Sequence, residues 1–202
     1  DLENLLLTLY GAGSEEKTAP EIFLVGHSMG GTVVHEVACR KLVPNVSAVA
    51  VLDIMESYKI MGLNLIKDWC DQRPPTCATL EHAIQWAIES GTVRNPESAR
   101  VSFPGMIARA PGSTVYTWHT DLLASQNDWV TWFEGLEQKF VNITSPPKLL
   151  ILGGKGQIEG NMSKAHQDGK FRLMILPESG HAVEEDEPDK VAKELVDFWR
   201  ME

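Results

Sequence analysis

Four short stretches of the chain are almost wholly apolar, and six others carry apolar residues at helical spacing. Ile22-Phe23-Leu24-Val25, Val46 to Ile54, Lys148-Leu149-Leu150-Ile151-Leu152 and Phe171 to Leu176 read as strands. Continuous apolar runs without alternation fit strands covered on both faces, as at the centre of a parallel sheet. Leu2, Leu5, Leu6 and Leu9 predict a first helix that Gly11 stops, and Gly13 to Pro20 reads as a polar loop. Val33, Val34, Val37 and Ala38 predict a helix from Gly30 to about Leu42, with Pro44 at its exit. Pro188 opens a last helix with Val191, Leu195, Phe198 and Trp199 as its stripe.

The middle differs. Ile60-Met61-Leu63-Leu65-Ile66-Trp69, Leu80-Ala83-Ile84-Ala87-Ile88 and Trp129-Trp132-Phe133-Leu136 all have helical spacing. Asn95-Pro96-Glu97-Ser98 reads as a further helix start, and residues 103–117, with Pro and Gly, as a loop. The expected organisation is one domain over residues 1–202. Its core is 1–54 and 146–202, and a helical insertion fills about 55–145. Strands alternating with helices predict an α/β fold with a mostly parallel sheet, whose chemistry sits at the carboxyl ends of the strands.

Composition narrows the function classes. The 202 residues suffice for one sizeable core, and a formal net charge of -10 disfavours nucleic acid and anionic membrane surfaces as partners. No apolar stretch approaches the roughly 20 residues that span a bilayer. Cys39, Cys70 and Cys77 are scattered and odd in number, which argues against a disulfide framework and for a reducing compartment. The chain starts Asp1-Leu2-Glu3-Asn4, without an initiator Met, so this start need not be the natural one.

Candidate chemistry begins at Gly26-His27-Ser28-Met29-Gly30, which matches G-x-S-x-G between a strand and a helix. Such a turn holds the serine in a strained conformation with its hydroxyl exposed, and the flanking glycines avoid collisions with strand and helix. Ser28 is therefore the candidate nucleophile, with the backbone N–H of Met29 as one oxyanion donor. A serine hydroxyl needs a base. His181 lies past the last strand and before the last helix, so it is the candidate base. His27 reads as structural, and His35, His82, His119 and His166 have no visible partner. Asp53 ends the strand after the nucleophile and is the preferred acid. Glu56 lies three residues on, and Glu159 lies beyond the other common acid position at Gly153-Gly154. The bland reading of Asp53 is a helix cap. The order Ser, Asp, His is that of an α/β-hydrolase.

Wider stretches resemble the protein phosphatase methylesterase family of α/β-hydrolases. They include Leu24-Val25-Gly26-His27-Ser28-Met29-Gly30-Gly31, Asp53-Ile54-Met55-Glu56, Asn95-Pro96-Glu97-Ser98-Ala99-Arg100-Val101-Ser102, Trp129-Val130-Thr131-Trp132-Phe133 and Gly180-His181-Ala182-Val183-Glu184-Glu185-Asp186. The resemblance implies an α/β-hydrolase fold with a helical lid. It implies catalytic roles for Ser28, Asp53 and His181, and no cofactor. It further implies demethylation of the C-terminal leucine methyl ester of the protein phosphatase 2A catalytic subunit, in the cytoplasm or nucleus, by a monomer. The chain departs from the family in three places. The N-terminal strands, with a glycine-rich loop giving the second oxyanion donor, are missing from it; the segment before Tyr116-Thr117-Trp118 is short; and the family's C-terminal extension is absent. Losing one oxyanion donor costs roughly 10²–10³ in rate in a serine protease. The competing expectations are a small-molecule carboxylesterase and a catalytically impaired phosphatase-binding module.

Overall fold

The computed structural model describes residues 1–11, 20–56 and 59–201. In chain order the elements are α1 (Leu2–Tyr10), β1 (Ile22–His27), α2 (Met29–Arg40), β2 (Val46–Leu52), α3 (Lys59–Gln72), α4 (Leu80–Glu89) and α5 (Pro96–Ser102). Then come β3 (Ile107–Arg109), β4 (Tyr116–Trp118), α6 (Trp129–Trp132), α7 (Leu136–Asn142), β5 (Lys148–Gly153), α8 (Gly160–Gln167), β6 (Arg172–Leu176), α9 (Val183–Asp186) and α10 (Pro188–Met201). Single 3-10 segments stand at Phe103–Gly105 and Leu122–Asp128. The polar loop expected at Gly13 to Pro20 falls almost entirely outside the described residues. So do the α3 side chains at Ile60, Met61, Leu63 and Leu65.

The four apolar runs form one parallel sheet in the order β1-β2-β5-β6. Its two faces explain why the runs do not alternate. Ala48, Ala50 and Leu52 of β2, with Leu149 and Ile151 of β5, face Val191 and Phe198 of α10. Val49 and Val51, with Leu150 and Leu152, face Val34, Val37 and Ala38 of α2 and Phe140 of α7. Side chains of both parities are therefore buried. β1 was expected at the sheet's centre; among the described residues it ends the order, and Val25 is 41% exposed. Its apolar run therefore does not mean that both its faces are covered, and β2 and β5 are the inner pair of the four.

Some helical stripes are only part covered. Leu2, Leu6 and Leu7 of α1 pack on the core, whereas Leu5 and Leu9 are exposed. Val33 of α2 is also exposed, and Trp199 of α10 lies half open beside Phe23.

The segment between β2 and β5 divides by its packing. Cys77, Ala83, Ala87, Val93, Ala99, Phe103 and Ile107 make a separate apolar cluster, flanked by Trp86 and Trp118. Phe133, Leu136, Phe140, Val141 and Ile143 instead belong to the main core. Asn95 caps α5 as expected, its side chain accepting from the N–H groups of Glu97 and Ser98, with Pro96 in the first turn. Residues 103–117 are not a plain loop. β3 and β4 pair antiparallel, Ile107 opposite Trp118 and Arg109 opposite Tyr116. Three-residue strands show a single alternation, too little for a sequence period to register.

His35 illustrates what burial does to a titrating group. It is 2% exposed, with Nε2 3.5 Å from Sγ of Cys39. Desolvation holds its pKa at about 4, against an ordinary 6.5. The unfolded chain thus takes this proton near 6.5 and the folded chain only near 4. The contribution is full above the unfolded value and declines as pH falls through that window, by about 3 kcal/mol in all. Urea unfolding at pH 7 and pH 4 should show a smaller pH dependence in His35→Gln than in the native chain; equal slopes would refute the assignment.

Candidate active site

Each of the candidate residues enters the site from a strand's carboxyl end. β1 ends at His27, and Ser28 follows with φ 50° and ψ -121°. This sparsely populated backbone is held because Ser28 N–H continues the ladder to Leu52 O at 2.8 Å and α2 starts at once with Met29. Gly26 is required by contact: a Cβ there would lie 2.2 Å from Gly30 O. Gly31 has the same constraint, with Ile54 Cγ2 at 2.9 Å, whereas a Cβ on Gly30 would meet nothing within 4 Å. The collisions expected of both motif glycines therefore fall on Gly26 and on Gly31, the residue after the motif.

β2 delivers Asp53, also at positive φ (46°), with its N–H bonded to Ile151 O at 2.8 Å. Aspartate tolerates this region better than most residues. Its carboxylate does not cap a helix. Oδ1 accepts from the Gly153 N–H at the end of β5, 2.7 Å away, and Oδ2 lies 2.7 Å from Nδ1 of His181. Nε2 of His181 lies 3.0 Å from Oγ of Ser28. Ser28, His181 and Asp53 thus form one hydrogen-bonded chain from residues 153 positions apart at most. The Asp53 side chain is 14% exposed and that of His181 58%. Glu56 is elsewhere, accepting from the Gly135 N–H at 3.0 Å. Met29 opens α2, so its backbone N–H is among those a helix leaves without an intrahelical partner, next to the serine.

The loop carrying His181 is fixed by residues that received no role from the sequence. Asp186 accepts from Gly180 N–H through Oδ2 and from Arg94 N–H through Oδ1, both at 2.6 Å. The Arg94 guanidinium donates to Glu178 O at 2.6 Å. Ser102 Oγ donates to Glu185 Oε2 at 2.6 Å, whose carboxyl pKa is raised chiefly by burial and countered by this bond. The approach to α5 and its last residue therefore clamp α9 and the histidine loop. Only the chain reversal at α9 brings these groups together, so no spacing in the sequence marks them. His27 also touches the loop; burial, the main influence, lowers its pKa, while Glu184 raises it. Among the described residues no cluster of three or more His, Cys, Asp or Glu is arranged to hold a metal ion, and the three cysteines are free.

A serine in a G-x-S-x-G turn, a histidine after the last strand and an aspartate after the second, all on one edge of a parallel sheet, match a hydrolase architecture. The family described as alpha/beta hydrolase fold matches residues 15–188, and the chain belongs to that family. Within it, the chain is 40% identical to protein phosphatase methylesterase 1 of Yarrowia lipolytica over 180 residues, 89% of this chain and 43% of that protein. It is 31% identical to the Homo sapiens protein of the same name over 239 aligned positions, covering 98% of this chain and 60% of that one. The chain thus spans about half the length of these curated relatives. Among solved structures, E-2-(acetamidomethylene)succinate hydrolase superposes with TM-score 0.77 at 16% identity, over 98% of this chain and 70% of that one. An alpha/beta hydrolase from Novosphingobium aromaticivorans gives 0.68 at 20%, over 98% and 70%. At such identities these two speak for the fold alone. No described helix is long and apolar enough to cross a membrane.

Proposed function

We propose that the chain carries a serine esterase site that hydrolyses a methyl ester on a protein C-terminus, that of the protein phosphatase 2A catalytic subunit. The observation that carries the chemistry is the continuous hydrogen-bonded chain from Ser28 through His181 to Asp53. Similarity to phosphatase methylesterases over 89% to 98% of the chain supports the choice of ester. Demethylation of such a partner would place the protein in the cytoplasm or nucleus.

In this reading Ser28 Oγ attacks the ester carbonyl carbon while His181 Nε2 takes the hydroxyl proton. The carbonyl oxygen becomes an oxyanion facing the Met29 N–H and the start of α2. Asp53 keeps the proton of His181 on Nδ1 and steadies the imidazolium. That imidazolium gives its proton to the departing methoxide, so methanol leaves and the C-terminal acyl group stays on Ser28. Water, deprotonated by His181, then attacks the acyl-enzyme and restores the free carboxylate and the Ser28 hydroxyl. The helical insertion at about 55–145, part of which packs around Trp86, Phe103 and Trp118, serves as the lid over this edge.

The test uses the methylated phosphatase catalytic subunit, read by methanol release, beside p-nitrophenyl acetate, read by p-nitrophenol release. Release of methanol from the protein substrate is expected. Hydrolysis of the small ester alone would replace this reading with a small-molecule carboxylesterase. Binding to the phosphatase without turnover of either substrate would replace it with a binding module.

A further inference from the structure

The ring of His27 sits between the loop that carries His181 and α9. Its Nε2 is 2.8 Å from the backbone oxygen of His181, and its Nδ1 is 3.1 Å from Oε1 of Glu184. The two imidazole centroids are 4.6 Å apart. The Glu184 side chain is 36% exposed, yet its second oxygen, Oε2, is buried without a hydrogen-bond partner. That leaves the contact to His27 as the reason for the carboxylate's placement.

Both contacts of the ring are to acceptors, a carbonyl and a carboxylate. A neutral imidazole has one N–H and satisfies one of them, whereas the imidazolium satisfies both. The charged or titrating groups that face the ring are Glu184 on α9, His181 on its loop and Asp53 behind His181 at the end of β2. Burial, the main influence, and His181 disfavour the charged ring, while Glu184, the His181 carbonyl and Asp53 favour it.

We propose that His27 is a positioning residue for His181: it holds the base over Ser28 through the His181 carbonyl and is itself oriented by Glu184. The inference rests on Ser28 and His181 acting as nucleophile and base. When His27 is charged, it opposes the imidazolium that His181 becomes on taking the serine proton. When His27 keeps only its Nε2 proton, the carbonyl stays held and that opposition is gone. Activity is therefore expected to rise with pH as His27 loses its proton.

The experiment compares the native chain with His27→Ala, His27→Gln and Glu184→Gln. Glutamine keeps an N–H donor near the position of Nε2 but does not titrate. One readout is independent of activity: the ¹⁵N and ¹H shifts of the His181 imidazole across pH. The native chain should show a step in these shifts that follows the protonation of His27, and His27→Gln should lack it. A second readout is the rate at which a fluorophosphonate labels Ser28, with kcat and KM for p-nitrophenyl acetate. His27→Ala should lose about 10²-fold in labelling rate and kcat with KM little changed, the scale set by displacing a reacting group by about an ångström. His27→Gln should regain most of it. Glu184→Gln should shift the His27 step toward lower pH, since it removes a group that favours the charged ring. Identical shifts across pH in the native chain and in His27→Gln overturn the proposal even if His27→Ala is too unstable to purify. Equal losses in the Ala and Gln variants overturn it too, since a purely structural role predicts them. Labelling that persists in Ser28→Ala overturns the nucleophile assignment instead, and the two failures are thereby distinguishable.

Discussion

Ser28→Ala is expected to lose all labelling by a fluorophosphonate and to lower ester turnover on the order of 10⁶-fold, the scale seen when the nucleophile of a serine protease is removed. The fold should tolerate the change in bulk, because the side chain makes no cap bond to α2 and its recorded contact is the one to His181 Nε2. The backbone cost at φ 50° is carried by both residues alike, so the melting temperature should change little. Intact-mass spectrometry after labelling gives the result directly. A variant that still gains the phosphonate mass would move the nucleophile elsewhere.

Asp53→Asn should be nearly as damaging, and the reason lies in the Gly153 N–H. That donor faces Oδ1, so an asparagine there must turn its carbonyl oxygen toward Gly153 and its NH₂ toward His181. An amide N–H aimed at Nδ1 forces the imidazole proton onto Nε2, where it points at Ser28 Oγ. His181 then has no lone pair for the serine proton. The corresponding change in a serine protease lowers kcat about 10⁴-fold with the geometry intact. Steady-state kinetics should show the fall in kcat with KM within a few-fold. Asp53→Ala removes the wrong-way donor and frees the tautomer, so it should be less impaired than Asp53→Asn. The reverse order would show that the carboxylate acts mainly through its charge.

These two expectations differ in how visible they are in the chain. Ser28 is marked by local chemistry, since G-x-S-x-G between an apolar run and a helical pattern describes a turn that few other residues can make. The collision of a Gly26 Cβ with Gly30 O at 2.2 Å is the physical content of that motif. Asp53 is less marked, because Glu56 and Glu159 were open alternatives by position. Glu56 was excluded by a contact made 79 residues away, with the Gly135 N–H. The Gly153 N–H that orients Asp53 belongs to β5, 100 residues on. No local pattern encodes an alignment of that span.

The cradle of the histidine loop was hidden for the same reason. Asp186, Arg94, Glu178 and Ser102 look like ordinary surface residues, and their pairing depends on α5 meeting α9. The hairpin of β3 and β4 was missed because its strands are shorter than one recognisable period. The exposed Val25 was misplaced because an apolar run does not by itself establish that both faces of its strand are covered.

What the sequence by itself determined is therefore what depends on neighbours along the chain. It specified the four sheet strands from their apolar runs and the longer helices from their periods, the serine turn from its glycines, the cap of α5 from Asn95-Pro96, and the parallel α/β class from their alternation. The tertiary structure alone decided the order of the strands, which acid reaches His181, and which groups hold His181 in place. Side-chain period and turn sterics act over a few residues and are written in the local order. Hydrogen bonds between strand ends form only after the sheet has brought residues 53, 153 and 181 to one edge.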